Sequence, residues 1–315
     1  MGRIRRGRPI NGILILDKPT GPTSNQALQT VKRLFDAAKA GHTGSLDPLA
    51  TGVLPICFGE ATKFTQFLLE ADKIYAATFC LGIATTTGDA QGDELARTSG
   101  EHLRLDMVEA ALAPFRGAIT QVPSMYSALK RDGRPLYELA RQGVEVERPA
   151  RNILVHEFRI DAFRGGIHPE IEVTIHCSKG TYVRTLAEDL GKALGCGAHV
   201  TRLRRIASGP FGEADAVSLD QLQALRAERP ARELDALLKP LDAIVGDRRQ
   251  LELTEGMAWY FLRGQPVSVP EALHSDVGAG EMVRVFRAQG EFLGLGLGTG
   301  DGRIKPHRLV RSAGN

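Results

Sequence analysis

Apolar positions along the chain fall into a few periods, and each predicts an element. Residues 11–16 read as a short buried strand, because Ile13 to Leu16 are continuously aliphatic, and Pro19-Thr20-Gly21-Pro22 predicts a turn after it. Ser24 is then placed to cap a helix with Ala27, Val31, Leu34 and Phe35 on one face. Residues 74–81 are rich in β-formers and predict a strand. Asp106, three residues before Glu109, predicts the capped start of a short helix running to Phe115. Ile171, Val173, Ile175 and Cys177 alternate with Glu172, Thr174 and His176, the period of a half-buried strand. After Gly180 the period becomes helical, with Val183, Leu186, Ala187, Leu190 and Leu194 in one stripe and Gly195 at its C-terminal cap. Ser218 predicts a further cap, ahead of Leu219, Leu222 and Leu225.

Two stretches break these periods. Residues 124–153 mix Pro, Gly and Tyr with many Arg and Lys, and read as an inserted, partly helical excursion. Residues 226–249 are charged and contain Pro230 and Pro240, which places a domain boundary near their end and divides the chain into 1–247 and 248–315. In the second part, apolar bursts at 282–286 and 292–297 with glycine between them predict a small β-barrel. The run GLGLGTGDG (294–302) has no G-x-G-x-x-G frame and no Gly-Lys-Ser/Thr after it, so it reads as a strand and a hairpin turn, not a nucleotide loop. Trp259 and Tyr260 read as core aromatics, and His176 and His199 as structural histidines.

Composition changes this picture little. With 315 residues, 43% apolar and 24% charged, the chain has the make-up of a globular protein with room for a sizeable core. The aliphatic run near the start is too short for a signal peptide core or a membrane span, and Cys57, Cys80, Cys177 and Cys196 lack CxxC spacing. Both observations predict a cytoplasmic protein with reduced cysteines. Net charge is only +3, but its distribution is uneven. Basic clusters stand at Arg3, Arg5, Arg6 and Arg8, at Arg202, Arg204 and Arg205, and at Arg303, Lys305, Arg308 and Arg311. Each alone is ordinary solvated surface; together they point to a polyanion partner with a defined footprint.

The candidate chemistry centres on Asp47. In GHTGSLDPLATG (41–52) one carboxylate sits among glycines and small hydroxyl residues, and Pro48 pushes it out of helical geometry. The run 53–56 anchors this loop on a core. A metal site would want several carboxylates or histidines, and only His42 is near. Glycoside hydrolysis would want a second carboxylate, and none announces itself. A phosphoaspartyl enzyme would carry Asp-x-Asp or Asp-Lys-Thr-Gly, where this chain has Pro48 and Leu49; that reading stays as an alternative of another class. A lone nucleophilic carboxylate remains, which needs a fixed cation to stay ionised in a desolvated pocket. Arg184, just inside a helix start, is the candidate partner.

Longer stretches are more specific. GHTGSLDPLATGVLPICFGEATK (41–63) resembles the catalytic-aspartate motif of the TruB family of pseudouridine synthases. LDKPTGPTS (16–24) resembles its Lys-Pro motif, DKIYAATFCLG (72–82) its tyrosine strand and PSMYSALKRDGRPLYELARQG (123–143) its RNA-contacting insertion. CSKGTYVRTLAEDLG (177–191) resembles the arginine motif, GAHVTRLRR (197–205) the leucine motif, and residues 248–312 a PUA RNA-binding domain.

The resemblance implies an α+β fold: a mixed, mostly antiparallel sheet with flanking helices, and a small C-terminal PUA-like β-barrel. It implies that Asp47 is the nucleophile acting on uridine 55 in the T loop of tRNA, with base flipping and without cofactor or metal. It places Tyr75 against the target base, Arg184 on Asp47, and Leu203 beneath the base. His42 would contact flipped-out nucleotides, Lys18 and Pro19 would shape the pocket wall, and Lys130, Arg131, Arg134 and Arg141 would grip RNA. The family often has Thr-Asp-Thr-x-Asp after the tyrosine strand; here Asp89 is kept and Thr86 replaces the earlier acid. The insertion favours a stand-alone, monomeric enzyme over the guide-RNA-dependent kind. A tRNA chaperone role is the reading from a different class.

Overall fold

The computed structural model describes residues 7–127, 129–131, 133–269 and 277–311, with side chains at all of these except 130, 131, 135 and 141. Arg3, Arg5 and Arg6, and the side chains of Lys130, Arg131 and Arg141, lie outside that description. The first strand, β1 (Gly12–Lys18), leads to helix α1 (Ser24–Leu34). Thr23, not Ser24, caps this helix: its hydroxyl accepts from the Gln26 amide, and the Gln26 side chain reaches back to the Thr23 amide. Ser24 is held elsewhere, donating to the Leu46 carbonyl and accepting from the Leu46 amide. Strands β2 (Ala40–His42) and β3 (Thr51–Phe58) form a hairpin around residues 43–50. Helix α2 (Thr65–Glu70), strand β4 (Lys73–Leu81) and the small hairpin β5 (Ile83–Thr85) with β6 (Glu94–Arg97) follow.

Helix α3 (Leu105–Leu112) has Arg104 at its N-cap and no side-chain cap, so Asp106 is not the cap expected. It lies in the first turn, where a carboxylate still complements the helix dipole. Past Leu112 the chain tightens into a 3₁₀ turn to Phe115, because Pro114 has no amide to continue the α-helix. Strand β7 (Gly117–Gln121) precedes the insertion, which contains the hairpin β8 (Lys130–Arg131) with β9 (Arg134–Pro135) and helix α4 (Leu136–Arg141). Strands β10 (Arg151–Arg164) and β11 (Glu170–Cys177), helix α5 (Val183–Ala193) and strand β12 (Ala198–Ser208) follow. Short strands β13 (Phe211–Gly212) and β14 (Val217–Ser218) lead to helix α6 (Leu219–Glu228), which Ser218 caps as expected.

Apart from the hairpins β5–β6 and β8–β9, these strands form one ten-stranded sheet in the order β14-β1-β3-β12-β4-β11-β10-β7, with β2 added on β3 and β13 on β12. Pairings are antiparallel except β1 with β14 and β3 with β12. The unbroken aliphatic run of β1 is explained by burial on both faces. Leu14 and Leu16 join the core under α1, α3, α5 and α6, whereas Ile13 and Ile15 pack with Val53, Phe64, Leu68 and Phe211 on the other side. All four cysteines are free and buried.

The second sheet begins at β15 (Gln250–Leu253) and helix α7 (Glu255–Leu262), and continues with β16 (Val267–Ser268), β17 (Met282–Arg287), β18 (Phe292–Gly298) and β19 (Arg303–Leu309). Its order, β15-β17-β18-β19-β16, curls around Phe261, Val283, Val285, Leu293 and Ile304 as a PUA-like half-barrel. It is fastened to the larger sheet. Leu295 enters the Ile13–Phe64 core, the Lys63 ammonium donates to the Leu309 carbonyl at 3.0 Å, and Arg284 meets Asp242 at 3.1 Å. Trp259 and Tyr260 are not core aromatics: they are 50% and 55% exposed. Ala258 and Phe261 take the inward positions of α7, and the helical period turns 259 and 260 outward. Among the described residues no helix is long and apolar enough to cross a membrane.

Candidate active site

The loop that carries Asp47 is the open end of the β2–β3 hairpin, and the chain around it spends buried polar groups on holding its shape. The Lys18 ammonium, fully buried, donates to the Pro19 carbonyl at 2.8 Å and to the Ala50 carbonyl at 2.7 Å. The Gly21 amide donates to Pro48, and the Thr20 hydroxyl to Leu49. Ser24 clasps Leu46 from both sides. The loop is thus bolted to the turn between β1 and α1 along most of its length. Burial pulls the Lys18 ammonium down to about 8; Asp47 opposes this and Arg205 adds to it.

A second clamp was not foreseen from the sequence, where Arg205 stood only as one of a basic cluster. Its guanidinium is fully buried and donates to the Val53 carbonyl at 2.7 Å and to the Gly44 carbonyl at 2.9 Å. Gly52 permits the close approach: a Cβ there would lie 2.2 Å from the Arg205 carbonyl oxygen. That glycine in GHTGSLDPLATG was the available signal, but nothing in the sequence pointed from it to Arg205.

Arg184 stands at the start of α5 with its side chain 5% exposed, and each arm of the guanidinium has a partner. Nε meets the Asp47 carboxylate at 2.8 Å, Nη1 donates to the Thr87 carbonyl at 2.7 Å, and Nη2 donates to the Tyr126 carbonyl of the insertion at 2.8 Å. Burial pushes the Asp47 carboxyl up; the Arg184 guanidinium is the main opposing influence, and Asp89 adds to the upward push. Asp89 is itself buried, 3.9 Å from the Arg184 guanidinium, and accepts from the Thr87 hydroxyl and the Gln91 amide. Thr86, at the position where an acid was expected, accepts from the Asp93 amide at 3.1 Å and closes the same turn.

Asp47, His42, Asp89 and Arg184 line one cleft of about 660 Å³, with Ser24, Thr87, Tyr126 and Tyr137 among the other walls. Burial, and behind it Arg205, push the His42 imidazole down, and its buried Nδ1 has no partner among the described residues. Tyr75 and Leu203 are not on that cleft. Tyr75 is half-buried on β4, two positions from Ala77, which is cross-strand to Leu203. Leu203 borders a second hollow, with Thr20, Leu49 and Thr51 of the loop's far side. Burial pushes the Tyr75 phenol up. Pro19 offers its carbonyl to Lys18. Of the insertion's cations, Arg134 is exposed and donates to the Gln142 side chain.

The fold is shared with solved structures. One chain, from a structure described as "Crystal Structure of a Cbf5-Nop10-Gar1 Complex", has a TM-score of 0.68 and 25% identity over 96% of this chain and 84% of its own. Another, from "Structure of H/ACA RNP bound to a substrate RNA containing 2'-deoxyuridine", has a TM-score of 0.69 and 22% identity over 100% and 92%. Family models narrow the fold to a class. Residues 32–183 match the N-terminal domain of the TruB family pseudouridylate synthases, 184–246 the tRNA pseudouridylate synthase B C-terminal domain, and 250–310 the C-terminal domain of pseudouridine synthase II TruB. The class is that of the pseudouridylate synthases. The tRNA pseudouridine synthase B of Stutzerimonas stutzeri (strain A1501) is 52% identical over 99% of this chain and all of its own, and that of Pseudomonas aeruginosa (strain UCBPP-PA14) is 54% identical over 98% of each. The chain belongs to the TruB family, as its motifs implied.

Proposed function

We propose that this protein is a stand-alone tRNA pseudouridine synthase, cytoplasmic and monomeric, that isomerises uridine 55 in the T loop with Asp47 as its nucleophile. The Arg184–Asp47 pair, 2.8 Å apart in a cleft walled by the insertion, is the observation that carries this reading. The relatives named above, which act on tRNA, support the substrate. Residues 1–247 form the catalytic part and residues 248–315 a PUA-like RNA-binding part.

The reaction breaks the bond from uracil N1 to the sugar C1′ and makes one from C5 to C1′; the hydrogen at C5 leaves to water as a proton, and N1 takes up a proton in its place. No electrons are transferred and no group is donated. The carboxylate serves by attacking the base or the sugar, or by taking a sugar proton; each route needs it ionised beside the substrate. Arg184 keeps it so against burial and fixes its direction, because a planar guanidinium with all three nitrogens engaged cannot swing. Flipping the base out of the loop costs roughly a few kcal/mol. Phosphate contacts from the insertion's cations and from the second domain offset this. His42, on the wall of the cleft, would meet a flipped nucleotide. Tyr75 and Leu203, on neighbouring strands, supply the apolar surface on which the detached uracil turns.

The test is tritium release from a T stem-loop RNA labelled at uridine C5, with no guide RNA, metal or nucleotide. Release that needs both Asp47 and the target uridine is expected. Binding without release overturns the proposed substrate position or the independence from a guide.

A further inference from the structure

We propose that Asp72, His156 and His176 form a site for a divalent transition-metal ion of the zinc type, on the sheet and outside the cleft of Asp47. Each side chain offers one ligand atom, and the three atoms lie within 4.8 Å of one another. The His156 Nε2 is 3.0 Å from an Asp72 carboxylate oxygen, the His176 Nε2 is 3.8 Å from the same oxygen, and the two imidazole rings are 4.6 Å apart. Two imidazoles and one carboxylate are the donor set that zinc, nickel and cobalt take and that magnesium and calcium do not.

The backbone brings these groups together. His176 lies on β11 opposite Ile74 of β4, two residues from Asp72. On the other side β10 carries a bulge: Val155 pairs with Cys177, Glu157 pairs with His176, and His156 is the extra residue between them. A bulge re-aims a side chain, and here it sets His156 beside His176. Asp72 is pinned by its own backbone, whose carbonyl accepts from the Gly209 amide at 2.9 Å. Glu157 is committed to Arg159, and Glu70 to Lys179. The shared oxygen can hydrogen-bond one imidazole but falls short of the other. A cation between the three satisfies both at once. Tetrahedral zinc with bonds of about 2.1 Å sets its ligands about 3.4 Å apart, so small side-chain rotations close the site. All three side chains keep between a third and a half of their surface open, which leaves the fourth position to water. The ion would tie the turn after α2 to β10 and β11.

The experiment uses the full chain, stripped with chelator and returned to a non-coordinating buffer at pH 7.5, and titrated with zinc chloride by calorimetry. One ion per chain is expected. Asp72→Asn and the double variant His156→Gln, His176→Gln should each weaken binding by about tenfold or more, while tritium release is unchanged. A second measurement needs no variant: anomalous scattering at the zinc edge from zinc-soaked crystals should place the ion between these three side chains, at bonds of about 2.0 to 2.2 Å. No binding, binding that the variants leave intact, or an ion seated elsewhere overturns the site. Because Asp47 is untouched, none of these results bears on the pseudouridine reading.

Discussion

Replacing Asp47 by Asn removes the charge and keeps the shape, and the burial of the carboxyl gives the direction of the effect on stability. Burial displaces the Asp47 carboxyl upward by more than Arg184 and Lys18 draw it down. A carboxyl raised in the fold adds stability only below its unfolded value of about 3.9, and that contribution is lost as pH rises through the folded value. Wherever the carboxyl is ionised, the wild type therefore carries that penalty. Asn carries none, and its carbonyl still accepts from the Arg184 Nε. Each pH unit of upward displacement corresponds to about 1.4 kcal/mol. With 40% of the side chain facing the open cleft, solvent screens part of that gain. Calorimetric melting at pH 7.5 should find Asp47→Asn equal to wild type or higher, with the gap closing toward acid pH. Tritium release by the variant should vanish while RNA binding persists. A variant that melts several degrees below wild type at pH 7.5 would refute the reasoning, because the pair would then be a net stabiliser. Retained turnover would remove Asp47 from the mechanism.

Arg184→Lys replaces three directed donors by one point charge and should lower turnover by about a hundredfold or more; a rate near wild type would show the fork to be dispensable. Arg205→Met leaves the Gly44 and Val53 carbonyls unpaired at roughly 1–3 kcal/mol each, and should lower both melting temperature and turnover; unchanged turnover would free the loop from this clamp. The Lys18 ammonium, lowered to about 8, is disfavoured in the fold below that pH, and the penalty is relieved as pH rises from about 8 toward its ordinary value. The denaturation midpoint of wild type should therefore gain on that of Lys18→Met between pH 7 and pH 10, and parallel curves would contradict the burial. Trp259→Ala with Tyr260→Ala should shift stability by only about 0.5 kcal/mol, and a large loss of melting temperature would return both rings to a core role.

Patterns that depend on one element were legible before the structure. The strand of alternating Ile171, Val173, Ile175 and Cys177, the stripe of α5 and the Ser218 cap all stand where their periods put them. Choices decided by a distant partner were not. Thr23 and Ser24 are adjacent hydroxyls, and only the presence of Leu46 across the loop assigns Ser24 away from the cap. Trp259 and Tyr260 are as apolar in sequence as Phe261, and only the sheet's position makes Phe261 the inward one. Arg205 looked like surface charge because its partners are backbone carbonyls, which no side-chain pattern announces.

The Asp47–Arg184 pair has a consequence for how RNA binding can reach the chemistry. Arg184 joins three segments far apart in sequence: the Asp47 loop, the turn at Thr87, and the insertion at Tyr126. Two of its bonds go to backbone carbonyls, so a shift of the insertion by even an ångström lengthens or bends one of them. The guanidinium is planar, and a change at Nη2 turns Nε as well. RNA seated on the insertion would thus reset the angle at which Nε meets the carboxylate. Tyr126→Ala, which keeps the carbonyl, and Ser127→Pro, which perturbs its peptide, separate the two contributions. The alanine should alter RNA affinity with little change in single-turnover rate. The proline should slow single turnover even at saturating RNA. Equal effects of both on affinity alone would mean that the insertion only holds RNA and does not set the carboxylate.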